Sequence, residues 1–327
     1  MGQGASSSSG DSIQLSQHRS ARVIRQLAQG GFSTVMLVQK LPSDSNDNNN
    51  DNNVNLLACK QVTVGSSKEA EREALSEIAA HNLLGGSKPV SRYIIALLES
   101  SVALANGGGT NGKIITLVFP FYRKGSLAGL LSNLSNGSQR PISESSALHK
   151  FRCAAEALNA CHELGLAHCD VKTHNLMLDD QDGVVLIDFG SSIGPPYVKT
   201  ISTTYERTEV KERAEKYSSA AYRALELWDP GWNCSNSSMT TIDYSKVDVY
   251  ALGCVLYACL FPPIGFTMFE SPTQGLLRFV FFFHIIACRV RTNNFFARTN
   301  IFFQVSRLEQ GLSSFLKTFP RLRALKN

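Results

Sequence analysis

The sequence predicts an α+β fold with two lobes, a smaller lobe built on a β-sheet with one main helix and a larger lobe that is mostly helical. Alternating apolar and polar residues, typical of strands, dominate residues 21–122. Helical patterns dominate residues 123–276. A chain of 327 residues with 43% hydrophobic residues is long enough to build both cores. The boundary between the lobes is expected close to residues 123–126.

The smaller lobe is predicted to contain five strands and one helix. Residues 22–40 alternate around a glycine pair, which indicates two strands joined by a tight turn, and residues 56–64 form a third strand. Residues 67–84 combine good helix formers with helical periodicity. Residues 93–100 and 112–121 then alternate like a strand pair separated by a turn rich in glycine and asparagine.

Two polar segments of this half are predicted to be disordered. Residues 42–55 form a run of asparagine and aspartate that is too polar to fold, so we expect a surface insertion. Residues 1–20 are expected to be a disordered tail. The tail begins MGQGAS, which fits the Met-Gly-x-x-x-Ser pattern for myristoylation of Gly2. A single myristoyl chain holds a membrane only marginally, so we expect a cytoplasmic protein that associates reversibly with membranes.

The larger lobe is predicted from a long amphipathic helix over residues 141–165, short strands near 176–180 and 183–190, and a strongly apolar helix over 246–261. Residues 277–327 read as a divergent tail of uncertain structure, so the larger lobe is expected to be incomplete. The apolar run of the tail is too short to span a bilayer. A membrane-surface anchor is one interpretation of it; a truncated or mistranslated end is the one we favour.

Composition argues against several other classes of protein. The net charge of +5 is scattered, without a long run of lysine and arginine, so a nucleic-acid partner has no support. The eight cysteines lack paired short spacings, and no signal peptide is recognised, so we expect reduced thiols rather than disulfides.

The polar residues of one loop carry the strongest chemical signal. Asp170, Lys172 and Asn175 follow the long helix, and Asp188 comes thirteen residues after Asn175, at a strand end before a glycine. Two carboxylates and an amide suit Mg²⁺, which prefers oxygen ligands, and leave one carboxylate to orient a hydroxyl nucleophile.

A second pair of charged residues lies in the smaller lobe. Lys60 is on the third strand, and Glu73 is in the following helix, with a spacing that could point it back at the sheet. Such a pair offers one cation for phosphate oxygens and one anion to hold it. We expect Lys60 to converge with Asp170, Asn175 and Asp188 in one cleft around the phosphates of a nucleotide.

In this order the motifs resemble those of the eukaryotic protein kinases over roughly residues 21–270. QGGFSTV is similar to the glycine-rich loop, ACK to the strand with the phosphate lysine, HCDVKTHN to the catalytic loop, DFG to the metal motif, ALE to the end of the activation segment and DVYALGC to the core helix of the large lobe. GGFSTV, PFYRKGSL and the long stretch before SAAYRALEL resemble more closely the Numb-associated kinase group, particularly its small myristoylated members.

The resemblance implies ATP and Mg²⁺ as cofactors, protein substrates and a role for each loop residue. Asp170 would accept or orient the proton of the substrate hydroxyl, and Lys172 would stabilise the charge on the transferred phosphoryl group. Asn175 and Asp188 would hold Mg²⁺. Lys60 would bind the α- and β-phosphates with Glu73 as its ion-pair partner.

The resemblance also implies the residues around the nucleotide. Gly30 and Gly31 would let the backbone approach the phosphates, with Val35 in the same turn and strand contributing to the ATP site. Phe119 would guard the back of the adenine pocket. Phe121 and Tyr122 would form the hinge that presents backbone groups to adenine, although plain core packing is the alternative for these aromatic residues.

Two further positions bear on specificity and regulation. Lys172 resembles the serine/threonine class, and Ser219 matches the position whose hydroxyl bridges Asp170 and Lys172. Cys169 stands where many kinases have an arginine that pairs with a phosphorylated residue, and a thiol offers no fixed positive charge. We hypothesise that activity does not require this phosphorylation; loss of activity on replacing every Ser/Thr after Ser191 and before Ser219, with recovery by phosphate mimics, would contradict it.

The larger lobe departs from the kinase pattern near its end. Leu225 replaces a proline, and Glu226 is expected to be buried without its cation, an omission that costs about 3–5 kcal/mol when a buried pair is broken. The leading hypothesis is an ATP-dependent protein serine/threonine kinase with Asp170 as its base. The alternative is a pseudokinase or scaffold that binds nucleotide or protein partners without turnover.

Overall fold

The structure, a computed structural model, describes residues 12–16, 19–31, 33–41, 56–65, 68–104, 112–135, 142–230 and 239–260. The chain divides into two compact units, residues 1–123 and residues 124–327. The predictions for Gly2, for the insertion at 42–55 and for the tail at 277–327 lie outside the described residues.

The first unit is a six-stranded antiparallel sheet with one helix. The sheet has the strand order β1-β2-β3-β4-β6-β5. Its elements are β1 (Ser12–Ser16), β2 (Arg19–Gln29), β3 (Ser33–Lys40), β4 (Leu56–Val64), the helix α1 (Lys68–Leu83), β5 (Glu99–Leu104) and β6 (Lys113–Pro120).

Two predictions for this unit are corrected. The disordered tail was predicted to reach residue 20, but Ser12–Ser16 forms β1, because the buried side chain of Leu15 packs with Ala21 and Val38. The fourth predicted strand, residues 93–100, begins only at Glu99. The apolar residues before it are buried without ladder pairing, and a short apolar run does not identify a strand by itself.

The second unit is mostly helical and contains two small two-stranded sheets, β7–β8 and β9–β10. Its elements are α2 (Leu127–Ser135), α3 (Glu144–Glu163), β7 (Leu176–Leu178), β8 (Val184–Leu186), β9 (Val198–Ile201), α4 (Thr204–Tyr217), α5 (Leu225–Trp228), β10 (Thr240–Asp243) and α6 (Tyr244–Leu260).

The core of this unit is the contact between α3 and α6. The helix α3 begins at Glu144 because the side chain of Ser143 accepts a hydrogen bond from the main-chain nitrogen of Ser146, and it ends before Gly165, whose φ is +77°. Nearly every residue of α6 is buried, as expected for a helix that is apolar all round. Among the described helices, none is long and apolar enough to cross a membrane.

The helix α4 was not predicted individually, although the sequence carries its start signal. The Thr203 hydroxyl accepts from the Glu206 main-chain nitrogen, and the Glu206 carboxylate accepts in return from the main chain and hydroxyls of Ser202 and Thr203. These hydrogen bonds lower the pKa of Glu206 to about 2. The reciprocal cap fixes where this helix begins.

The structure places the cysteines of the described residues in the core. Six of them are free and buried: Cys59, Cys153, Cys161, Cys169, Cys254 and Cys259. Burial raises the pKa of Cys59 to about 12, so this thiol stays protonated near neutral pH.

Candidate active site

In the first unit, Lys60 forms an ion pair with Glu77. Its Nζ donates to both carboxylate oxygens of Glu77, at 2.8 and 2.7 Å. The Glu77 side chain is 4% exposed and that of Lys60 is 18% exposed, so solvent screens the pair weakly. The pair fixes the ammonium group of β4 against α1.

The predicted partner of Lys60, Glu73, is therefore corrected to Glu77. The buried face of α1 is marked by Ala70, Ala74 and Glu77, at the spacing of a helical face. Glu73 precedes Ala74 by one residue and is only half-buried. A helix advances about 100° per residue, so Glu73, one turn before Glu77, lies about 40° from it, at the edge of the buried face rather than at its centre.

The other predicted residues of this unit fall around Lys60 on the sheet. Val35 lies directly across from Lys60 in the β3–β4 ladder, and Phe119 lies across from Ala58, so that these side chains share one face. Phe119 is buried, with its ring 5.2 Å from that of His81. Phe121 and Tyr122 follow β6 and are half-buried.

The glycine pair joins β2 to β3. The main-chain nitrogen of Gly30 donates to the carbonyl of Ser33 at 2.7 Å, and a Cβ on Gly30 would lie 2.9 Å from the Ser33 hydroxyl. Around Gly31 no heavy atom lies within 4 Å of a Cβ position, among the described residues. A Cβ at position 30 would therefore require the Ser33 hydroxyl to turn away, whereas the space at Gly31 is open.

In the second unit, the Asp170 carboxylate is held by four hydrogen bonds. One oxygen, Oδ1, accepts from the main-chain nitrogen and the hydroxyl of Ser219, at 3.1 and 3.0 Å. The other, Oδ2, accepts from Lys172 Nζ at 2.6 Å and Asn175 Nδ2 at 3.2 Å. Its side chain is 9% exposed. The carboxylate has a fixed orientation and can act only as an acceptor while ionised.

Ser219 makes the bridge predicted for it. Its hydroxyl donates to Asp170 and accepts from Lys172 Nζ at 3.0 Å. The ammonium of Lys172 therefore lies between a carboxylate and a hydroxyl, and both contacts keep it close to Asp170. A positive charge at this point can stabilise negative charge that develops beside the carboxylate.

Asn175 and Asp188 lie at the same end of the β7–β8 hairpin. Asn175 precedes β7, Asp188 follows β8 by two residues, and the carbonyl of Asn175 accepts from the main-chain nitrogen of Ile187 at 3.0 Å. Asn175 Nδ2 also donates to the Asp170 carbonyl at 2.9 Å, which leaves the amide oxygen for a cation. With the exposed carboxylate of Asp188, the oxygen donors fit Mg²⁺.

Asp188 adopts a left-handed backbone conformation, with φ of 65° and ψ of 78°. Such a conformation is uncommon for a residue with a Cβ and is found at functional sites. Directly after it, Phe189 is fully buried, with its ring 5.0 Å from that of His168. The buried ring anchors the chain and turns the Asp188 carboxylate outward.

Asp248 of α6 supports the catalytic loop and was not identified from the sequence. Its carboxylate accepts from the main-chain nitrogens of His168 and Cys169, both at 2.7 Å, and from His162 Nε2 at 2.9 Å. Asp248 is fully buried. Cys169 has a φ of 67°. The hydrogen bonds from the main-chain nitrogens of His168 and Cys169 to Asp248 hold this left-handed conformation directly before Asp170.

His168 fixes the loop from its other side. Its Nε2 lies 2.9 Å from the carbonyl of Ile187, to which it donates, and its Nδ1 accepts from the main-chain nitrogen of Asp170 at 3.2 Å. This pattern requires a neutral imidazole with its proton on Nε2. The ring thereby links the strand end before Asp188 to the loop of Asp170.

Cys169 is a packing residue rather than an exposed thiol. It is buried with Ala167, Ile201, Leu227 and Tyr244, and its thiol lies 3.7 Å from the Ala167 carbonyl. Burial, followed by the nearby Asp248 carboxylate, raises the pKa of this thiol well above its ordinary value. A thiolate, the reactive form, is therefore disfavoured here.

Glu226 was expected to be buried, but the residue is half-buried at the start of α5. Burial raises the pKa of its carboxyl, while the nearby Lys246 acts in the opposite direction. Within the described residues no ion pair to Glu226 is found. A raised folded-state pKa means that its ionisation opposes folding as the pH rises above the unfolded-state value.

Together, the loop residues can do one kind of chemistry. A held carboxylate can take or orient a hydroxyl proton, an adjacent ammonium can stabilise developing negative charge, and an amide oxygen and carboxylate can hold a hard cation. The Lys60–Glu77 pair belongs to the other compact unit, so its use on the same nucleotide remains a prediction.

Comparison with known proteins agrees with this chemistry. The family described as protein kinase domain matches residues 22–278. Serine/threonine-protein kinase 16 of Mus musculus is 28% identical over 238 residues, which cover 73% of this chain and 68% of the mouse protein. The human protein of the same name is 27% identical over the same shares. Actin-regulating kinase PRK1 of Saccharomyces cerevisiae is 26% identical over 79% of this chain and 29% of the yeast protein.

Proposed function

The chain belongs to the protein kinase family, and from this premise we propose that it transfers the γ-phosphoryl group of ATP to serine or threonine hydroxyls of protein substrates. The observation that carries the proposal is the Asp170 carboxylate, which is held by Lys172, Asn175 and Ser219 in an orientation that leaves it an acceptor. The similarity to serine/threonine kinases supports the substrate class.

In the proposed reaction, Asp170 accepts the proton of the substrate hydroxyl as the oxygen forms its bond to the γ-phosphorus. The bond from that phosphorus to the β,γ-bridging oxygen breaks, and ADP leaves. Lys172 supplies positive charge beside the transferred group. Asn175 and Asp188 would hold Mg²⁺, which would neutralise charge on the phosphate oxygens. Lys60, oriented by Glu77, would contact the α- and β-phosphates.

The proposal is tested by incubating the purified chain with Mg²⁺-ATP carrying a labelled γ-phosphate and a generic protein substrate. Label should appear on serine and threonine, and the Asp170→Asn variant should not transfer it. Nucleotide binding without any transfer by the unsubstituted chain would contradict the proposal and is the result expected of a pseudokinase.

The Lys60–Glu77 pair provides a second prediction. Glu77→Gln keeps the size of the side chain but removes the charge that holds the Lys60 ammonium, so we expect KM for ATP to rise by about tenfold, since a hydrogen bond to a charged group contributes about 1.5–3 kcal/mol. Glu73→Gln, the same change one turn earlier on α1, should alter KM by less than about twofold. Steady-state kinetics at varied ATP concentration measure both. The reverse order of effects would restore Glu73 as the partner.

We further propose that Gly2 is myristoylated and that the protein associates reversibly with membranes, on the strength of the N-terminal pattern alone. Gly2→Ala should move the protein from a membrane fraction to a soluble fraction and abolish incorporation of labelled myristate. Because one acyl chain binds marginally, the unsubstituted protein should divide between both fractions. Equal distribution of the two forms would contradict the proposal.

A further inference from the structure

The segment between Asp188 and Ser219 carries a helix whose position is fixed at both ends. The helix α4 begins at the reciprocal cap of Thr203 and Glu206. After its last residue, Ser218 donates its hydroxyl to the Ala214 carbonyl at 2.7 Å, and the next residue is Ser219, which contacts Asp170. A displacement of α4 would therefore move Ser219 directly.

Arg213, in the last turns of α4, joins this helix to the chain that follows Asp188. Its Nη2 donates to the carbonyls of Ser191 and Ser192, at 3.0 and 3.4 Å. Its guanidinium also lies 4.7 Å from the centre of the Tyr217 ring, which helps to hold the side chain in this direction. One side chain thus connects the residues just after Asp188 with the helix that leads to Ser219.

The chain that Arg213 contacts is itself tied to the catalytic loop. Ile193 and Ala167 exchange main-chain hydrogen bonds of 2.9 and 2.8 Å, and the Ser192 main-chain nitrogen donates to the Phe189 carbonyl at 3.1 Å. Arg213 is therefore linked to Asp188 and to the loop of Asp170 through the main chain of residues 191–193. No substrate contact is needed for it to affect them.

Arg213 also places a positive charge next to Cys169, whose own side chain carries no positive charge. The two residues line one cavity with Val210, Ala214 and Tyr244. Arg213 opposes the upward shift that burial and Asp248 impose on the pKa of the Cys169 thiol, as expected of a cation close to it. The charge in this region of the loop thus comes from α4.

We propose that Arg213 is a positioning residue, which clamps the Ser191–Ser192 main chain to α4 and thereby holds Asp188 and Ser219 in their working positions. Its acceptors are main-chain carbonyls, so the clamp forms without a phosphate group on the segment. This inference rests on the proposed kinase function, and the experiment below separates the two.

The test compares Arg213→Met with Lys211→Met, which removes one positive charge from an exposed site on the same helix. All proteins are treated with phosphatase first. In Arg213→Met we expect kcat to fall by roughly tenfold, which is less than the loss that misplaced reacting groups can cause. The KM for the protein substrate should be nearly unchanged. Arg213→Lys should recover only part of kcat, because an ammonium can still donate to a carbonyl but loses the planar fork and its stacking on the Tyr217 ring. Lys211→Met should match the unsubstituted protein.

Hydrogen exchange provides the readout that does not depend on activity. The Ser192 and Ile193 amides should exchange at least about tenfold faster in Arg213→Met than in Lys211→Met, whereas amides of α3 should keep their rates, since local opening is independent of global unfolding. Unchanged kcat and unchanged exchange at Ser192 and Ile193 would overturn the proposal. Faster exchange that extends equally into α3 would also overturn it, because Arg213 would then be a general stability residue.

If the unsubstituted chain transfers no phosphate, the proposed kinase function is wrong. The hydrogen-exchange rates alone then decide whether Arg213 is a positioning residue. Faster exchange confined to Ser192 and Ile193 would support the clamp in that case, and equal rates in the Met variants would reject it. The two failures therefore give different results.

Discussion

Replacing Asp170 with asparagine is expected to lower kcat for phosphoryl transfer by roughly a thousandfold, within the range that a general base contributes. The carboxylate accepts four hydrogen bonds, two from Ser219, one from Lys172 and one from Asn175. An asparagine keeps the size and one acceptor oxygen but cannot take up a proton, and its NH₂ group would face a donor. The loss of the base should therefore appear in kcat, and the mismatched NH₂ group should lower the stability of the fold as well.

The control for this variant is Asp180→Asn, which makes the same change at a side chain that is 98% exposed. Asp180→Asn should retain full kcat. Both variants and the unsubstituted protein should be compared by thermal melting, so that a lost fold is not mistaken for a lost base. If Asp170→Asn keeps more than about a tenth of the kcat, a general-base role is excluded, since such groups contribute at least about a hundredfold.

The spacing of polar residues predicted that the side chains around Asp170 lie close together, because these residues are local in sequence. Asp170, Lys172 and Asn175 lie within six residues, and the β7–β8 hairpin brings Asp188 back to the end where Asn175 lies. A hairpin returns the chain to its start, so two motifs on either side of it are neighbours. The contact of Ser219 is long-range, and only the resemblance to a family indicated it.

The choice between Glu73 and Glu77 could not be made from charge alone. The helix α1 carries Glu69, Glu71, Glu73 and Glu77, and all are compatible with a solvated face. Glu77 differs from the other glutamates in its angular position around the helix, which places it on the same face as the small residues Ala70 and Ala74. These two residues mark the face that packs on the sheet. That signal was present in the sequence and requires the buried face to be assigned first.

Arg213 shows a different limit of sequence reasoning. Its partners are the carbonyls of Ser191 and Ser192, and main-chain acceptors leave no mark in the sequence. The capping pattern of Thr203 and Glu206 does predict the start of α4. It does not predict where the helix packs, because that depends on Val210 and Ala214 meeting a cluster built from distant segments.

Asp248→Asn is expected to lower the free energy of unfolding by about 3 kcal/mol, because breaking one partner of a buried charged network costs about 3–5 kcal/mol. The carboxylate serves three donors, namely the His168 and Cys169 main-chain nitrogens and His162 Nε2. An amide has one acceptor oxygen, so its NH₂ would face at least one buried N–H. Denaturant unfolding followed by fluorescence measures the difference.

Asp243→Asn is the matched control on the same helix end. Its carboxylate accepts from the main chain and hydroxyl of Ser245, as a cap, and is 23% exposed. Asparagine is as good an N-cap as aspartate, so this variant should lose less than about 1 kcal/mol. Equal unfolding midpoints for the two variants would contradict the role given to Asp248.

The stability loss in Asp248→Asn should be accompanied by a loss of turnover that the control does not show. The hydrogen bond from its main-chain nitrogen to Asp248 supports the left-handed φ of 67° at Cys169, and Asp170 is the next residue. We expect that loss of this bond lets the backbone at Cys169 leave the left-handed region and moves the Asp170 carboxylate away from Ser219. A kcat equal to that of Asp243→Asn, in protein that is still folded at the assay temperature, would show that the loop holds its shape without α6.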